Sequence, residues 1–180
     1  MRHITFSYSK TGAGRQHYLN EEDVRVLLSR LPEELWEKLR AVHFNDRARG
    51  RRCLGYVTMG HREITICAWP ERVSLSSFAT HRSIRPFGAV RGRQWPELAV
   101  RRFMLYDVFL HELGHLQIVL PKAARLRRKF AGETKAQGFA DYWRKKLWLD
   151  RFDHVDPVHN KATREELEKS NQDSARCVIP

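Results

Sequence analysis

The chain has 180 residues, of which 42% are hydrophobic and 30% charged, and a formal net charge of +12. That length suits one domain with a real core, because a domain of ~150 residues buries roughly two-thirds of its unfolded surface. The composition argues against low-complexity disorder, and the excess of positive charge favours anionic partners, nucleic acid first, over a simple solvated basic surface only if further features support it.

The first eight residues carry a basic group but no following apolar run, so no signal peptide is expected. In the N-terminal third, Asn20 is a helix cap followed by Glu21, Glu22 and Asp23, acids that the helix dipole favours in a first turn. That helix carries Val24, Val26, Leu27 and Leu28 and breaks at Leu31-Pro32. Pro32 then suits the first turn of a second helix bearing Leu35, Trp36, Leu39 and Val42. A short strand is expected at 43–46, followed by a basic loop at 47–52. Residues 54–59 and 63–69 both favour strand and are joined by Gly60-His61-Arg62, the signature of a hairpin. Residues 70–95, with Pro70, Pro86, Gly88, Gly92 and the arginines 82, 85, 91 and 93, read as a long irregular segment, either a substrate-side loop or a plain surface excursion.

Pro96 opens a helix expected to run to Leu120, where Pro121 stops it. From residue 103 this helix is apolar on nearly every side, which predicts burial. It is interrupted by Asp107, His111, Glu112 and His115, which a membrane span would have to bury, so the expectation is a soluble, cytoplasmic chain with no membrane association. Three widely spaced cysteines, Cys53, Cys67 and Cys177, form no CxxC pair; they fit reduced thiols rather than a thiolate zinc site. A basic patch at Lys122, Arg125, Arg127, Arg128 and Lys129 precedes a helix from about Gly132 to Leu149. The division expected is a domain over residues 1–150 and a polar, partly flexible tail over 151–180, with Thr163 and Glu166 as a capping box in that tail.

The chemistry is concentrated in His111-Glu112-Leu113-Gly114-His115, an H-E-x-x-H pattern. At ~100° per residue, positions i and i+4 share a helix face one turn apart, so two imidazoles reach one ion at ~2.0–2.1 Å. The intervening Glu112 points aside, where it accepts a proton from water activated by the metal. Uncompensated, two histidines and a glutamate on a buried helix would be costly; a hydrogen-bonded core histidine pair is the competing reading. Gly114 costs ~1 kcal/mol in a helix interior against alanine, which implies close packing or a need for room at that face.

A catalytic zinc takes a third protein ligand and keeps one open position. Glu133 is the best candidate, standing at the head of a stripe with Ala136, Ala140, Trp143 and Leu147 that should face inward. Asp141, His154 and His159 are the alternatives, and a first-turn glutamate held by the helix dipole is the simpler account of Glu133. Tyr106, Tyr142, His154 and His159 are all open as oxyanion-stabilising groups.

Residues 107–116 resemble the active-site helix of zincin metallopeptidases. Residues 133–140 resemble the glutamate-bearing helix of minimal gluzincins such as the ImmA/IrrE-type peptidases: Glu133, Ala136, Phe139 and Ala140 match its pattern, and Lys135 takes the place of a second acid. The resemblance implies an α+β, zincin-like fold: N-terminal helices on a small twisted sheet, an active-site helix and a following ligand-bearing helix. It also implies an edge strand along the cleft, which the hairpin at 54–69 would supply, holding a protein or peptide substrate by backbone pairing. SprT-like proteases are also similar in basic charge and H-E-x-x-H, but carry a three-histidine pattern. The expected activity is zinc-dependent peptide hydrolysis, with His111, His115 and Glu133 on Zn2+ and Glu112 as base. The rivals are a zinc-containing basic regulatory or nucleic-acid-associated protein without peptidase activity, and a hydrolase acting on a non-peptide bond.

Overall fold

The computed structural model describes residues 3–46, 53–71, 84–90, 94–118 and 127–175. Asn20 caps the first helix, α1 (Glu21–Ser29): its side chain accepts from the backbone N–H of Asp23, and the Asp23 carboxylate accepts from the backbone N–H of Asn20. Val24, Leu27 and Leu28 form the buried stripe of α1. The second helix expected from Pro32 to Val42 does not form. A single 3-10 turn occupies Glu33–Leu35, and the chain extends into a strand at Ala41. Val42 has no exposed surface between its neighbouring strands, so a tertiary contact overrides helical spacing.

A four-stranded sheet is built from β1 (Thr5–Tyr8), β3 (Ala41–Asn45), β4 (Gly55–Thr58) and β5 (Glu63–Cys67), in the order β1-β3-β5-β4. The first three of that order run parallel; β4 is antiparallel to β5 and forms one edge. The hairpin expected at 54–69 is β4–β5, and Arg62 in its turn takes a positive φ of 59°. Thr65 and Cys67, which alternate with Ile64 and Ile66 along the strand, are buried as well, so β5 is covered on both faces. Two strands were not anticipated: β1, and β2 (Arg15–Gln16), which pairs with β6 (Trp69–Pro70) in a separate ribbon.

The helix expected from Pro96 to Leu120 is three consecutive pieces: α2 (Glu97–Phe103), a π-helical stretch Met104–Phe109, and α3 (Leu110–Gln117). All six π-helical residues are buried, the placement expected of this run. Ile118 is already extended, and Leu120 lies outside the described residues. The next helix, α4 (Arg127–Leu149), begins earlier than Gly132, so Glu133 is beyond its first turn and the dipole account of that residue loses its basis. α3 packs against β4 on one side and α4 on the other. No described helix is long and apolar enough to cross a membrane.

The polar segment from residue 151 is seated on these helices over its described part. Val158 and His159 are buried in a 3-10 turn, Pro157–His159. Arg101 of α2 bridges Asp23 of α1 at 2.8 Å and Asp156 at 2.6 Å. The buried guanidinium of Arg102 pairs with Glu166 at 2.5 Å and donates to the Pro157 carbonyl at 2.9 Å. Glu166 belongs to α5 (Arg164–Ala175), whose capping box with Thr163 forms as expected. The loop at 47–52, Arg82, Arg91, Arg93, Lys122, Arg125 and Cys177 lie outside the described residues, as do the side chains of Arg127, Arg128 and Lys129.

Candidate metal centre

His111 and His115 project from the same face of α3, and their Nε2 atoms stand 3.1 Å apart. Glu133 reaches across from α4: its Oε2 is 3.1 Å from His111 Nε2 and 3.6 Å from His115 Nε2. Among the described residues these three form the group whose ligand atoms all lie within 4.8 Å of one another. A tetrahedral ion holding donors at ~2.0–2.1 Å spaces them roughly 3.3–3.4 Å apart, so a triangle with edges of this size is a fitting seat for zinc. The two imidazoles are largely covered, at 15% and 18% side-chain exposure, while Glu133 is at 48%, so the centre opens to solvent on the glutamate side.

The proximity of the helices has a local cause. A Cβ on Gly114 would lie 3.0 Å from the carbonyl oxygen of Ala136 and 3.1 Å from the Cβ of Phe139, so only glycine lets α3 and α4 meet here. The close approach inferred from a glycine inside H-E-x-x-H is thus between α3 and α4, the helices that carry His111, His115 and Glu133. On the other side of α3, a Cβ on Gly55 of β4 would lie 3.3 Å from the Cγ of Glu112, so the edge strand runs directly beside that residue.

Glu112 is itself buried, at 8% exposure. Burial first, and the Glu133 carboxylate second, push its carboxyl up to about 8. A cation among His111, His115 and Glu133 opposes both effects by favouring the carboxylate. Burial, and then the neighbouring His111, lower the pKa of His115, with Glu133 working against them. That direction favours the lone-pair-bearing form of His115 that metal ligation requires.

Gln137, one turn after Glu133, gave no sequence signal of its own. Its Oε1 is 3.0 Å from His111 Nδ1, and its amide nitrogen donates to Asp107 Oδ1 at 3.2 Å and Asp141 Oδ1 at 3.1 Å. Arg144 donates to Asp107 at 2.7 Å and pairs with Asp141 at 2.5 Å. Asp141 is thus joined to the centre through Gln137 and is outside the ligand triangle. His154 and His159 are also outside it: their rings pack on each other and on Phe152, and the His159 carbonyl accepts from Arg30 at 2.9 Å. Neither is brought to the H-E-x-x-H face as a third histidine. Tyr106 is wholly buried with its hydroxyl held by Arg30 at 3.0 Å, and Tyr142 is exposed.

Comparison with protein-family models, with curated proteins and with solved structures finds no match to this chain. The functional reading therefore stands on the motif and on this geometry.

Proposed function

We propose that this chain is a zinc-dependent metallopeptidase with a zincin-like arrangement. The observation that carries the reading is the triangle of His111 Nε2, His115 Nε2 and Glu133 Oε2, two imidazoles and a carboxylate from two helices with edges of 3.1, 3.1 and 3.6 Å. This is the donor set of a catalytic rather than a closed structural zinc site, leaving a fourth position for substrate or water. When bound, zinc supplies Lewis acidity, polarising a carbonyl and acidifying water.

The remaining work falls to the chain's own residues. Glu112 adjoins His111 in sequence and lies off the ligand triangle, which suits a base that takes a proton from attacking water and returns it to the leaving amine. Its burial strengthens its basicity at the moment of transfer. The antiparallel edge strand β4 passes beside Glu112 and suits an extended peptide added along it by backbone hydrogen bonds. The four-stranded sheet with an edge strand at the motif helix and a following glutamate helix supports the zincin-like reading of an α+β fold.

The test is metal content by elemental analysis on wild type and His115→Ala, with hydrolysis of a quenched-fluorescent peptide mixture by the zinc-loaded protein. One zinc per chain, lost in the variant, together with peptide cleavage lost in Glu112→Gln, is expected. A wild-type chain that takes up no zinc ends the reading. Stoichiometric zinc with salt-dependent DNA binding and no cleavage instead favours a zinc-containing regulatory protein, for which the net charge of +12 argues.

A further inference from the structure

Resting on the zinc reading above, we propose that Gln137 is a positioning residue that fixes the tautomer of His111, and that it must be a neutral amide to do so.

Asp107 is buried at 1% exposure in the π-helical stretch, and Asp141 projects from α4. Arg144 reaches both carboxylates. Between those two acids sits one end of the Gln137 side chain, 3.2 and 3.1 Å from their Oδ1 atoms. An ionised carboxylate only accepts hydrogen bonds, so the end of the amide facing the two acids must be its NH2. The orientation of Gln137 is then decided by its partners, and its oxygen is left facing His111 Nδ1 at 3.0 Å.

An amide oxygen only accepts. The His111 proton therefore belongs on Nδ1, and Nε2 carries a lone pair. That Nε2 is the atom that faces Glu133 and His115. In a metal-free chain this sets a lone pair 3.1 Å from a carboxylate oxygen, an unfavourable contact that a cation between them relieves. The order of command runs from Arg144 through Asp107 and Asp141 to Gln137, and from there to the metal-binding nitrogen.

A carboxylate is the more frequent partner of a metal-ligating histidine, and it strengthens the ligand. Here it would do the opposite. Glutamate at 137 would set a third negative charge against Asp107 and Asp141, with Arg144 as the guanidinium that the first two already share.

The test uses the full chain labelled with 15N-histidine, first free of metal and well above the ordinary imidazole pKa of ~6.5. In wild type, His111 should show the Nδ1–H tautomer. In Gln137→Met, which keeps the length and the apolar stem, the Nε2–H form should appear while circular dichroism stays unchanged. Zinc dissociation constants from chelator competition should then rise by ~10–100-fold in Gln137→Met and rise also in Gln137→Glu. An Nε2–H tautomer in wild type overturns the proposal whatever the zinc result, as does a Gln137→Met chain with unaltered tautomer and affinity. Zinc binding by Gln137→Glu as tight as wild type overturns the requirement for a neutral amide. If the tautomer shifts as expected but even wild type binds no zinc, the positioning role stands and the metallopeptidase reading falls.

Discussion

Gly114 of α3 lies so close to Ala136 of α4 that a Cβ on the glycine would stand 3.0 Å from the Ala136 carbonyl oxygen and 3.1 Å from its Cα. Both obstacles are backbone, so neither yields by a rotamer change. Gly114→Ala gains up to ~1 kcal/mol of helix propensity but incurs overpacking of roughly 1–3 kcal/mol. The expected net is a destabilisation of about 1 kcal/mol. A displaced α4 also moves Glu133, so zinc affinity should fall together with the urea midpoint. A variant with tighter packing and undiminished zinc binding would show that the helices do not meet in this way.

Glu133→Ala removes the carboxylate corner of the triangle while leaving both imidazoles. Zinc affinity measured by chelator competition should drop by an order of magnitude or more. Retention of one zinc per chain after prolonged dialysis would pass the third-ligand role to another group.

Glu112→Gln should keep zinc and reduce peptide hydrolysis by ~10²–10⁴-fold, the usual range for loss of a general base. It has a second signature in the metal-free protein. Glu112 titrates near 8 in the folded chain against an ordinary 4.5. Between those values the folded state holds a proton that the unfolded chain has released, so stability falls as pH rises through this window. Metal-free Glu112→Gln should therefore have a higher urea midpoint than metal-free wild type at pH 8, with the gap closing towards pH 4.5. An equal midpoint at both pH values would contradict the burial of a raised carboxyl.

His159 has the opposite sign. Burial, then His154, lower its pKa to about 4 from an ordinary 6.5. The unfolded chain takes up the proton first, so stability is fully present above 6.5 and is lost as pH falls towards 4. At ~1.4 kcal/mol per unit, the loss attributable to this group is roughly 3 kcal/mol. Acid titration of the unfolding free energy should show that slope in wild type and a shallower one in His159→Gln.

Arg102 is 1% exposed and depends on Glu166 for its charge partner. Glu166→Ala leaves the buried guanidinium, among the described residues, with carbonyl acceptors only, and a loss of roughly 2–4 kcal/mol is expected, somewhat below the full penalty for a broken buried pair because Glu166 is partly exposed. Deleting residues 161–180 should cost at least as much. A deletion of that kind with an unchanged melting temperature would mean that the C-terminal helix is not holding Arg102.

Much of this was legible in the residues themselves. Asn20 with Asp23, and Thr163 with Glu166, are local hydrogen-bonding patterns that act over three residues, so the chain's own order suffices to read them. The β4–β5 hairpin follows from a turn between two strand-forming runs. His111 and His115 share a face through helical periodicity alone, and Gly114 announced close packing, though not its partner.

What the residue order did not disclose depends on contacts between distant segments. Leu39 to Val42 carries a helix-compatible spacing, yet Val42 is taken by the sheet because burial between β1 and β5 outweighs a propensity of a few tenths of a kcal/mol. The π-helical turn at Met104–Phe109 has no local signature, being uniformly buried. Glu133 was the best candidate ligand from its place on an apolar stripe, ahead of Asp141, His154 and His159; that its carboxylate lies beside the two imidazoles is decided by packing, because α4 crosses α3 at Gly114. Gln137 was invisible for the same reason. Short-range hydrogen bonds and periodicity are properties of neighbouring residues, whereas a His-His-Glu triangle and the amide beside it exist only once separate helices are packed to within a few ångströms.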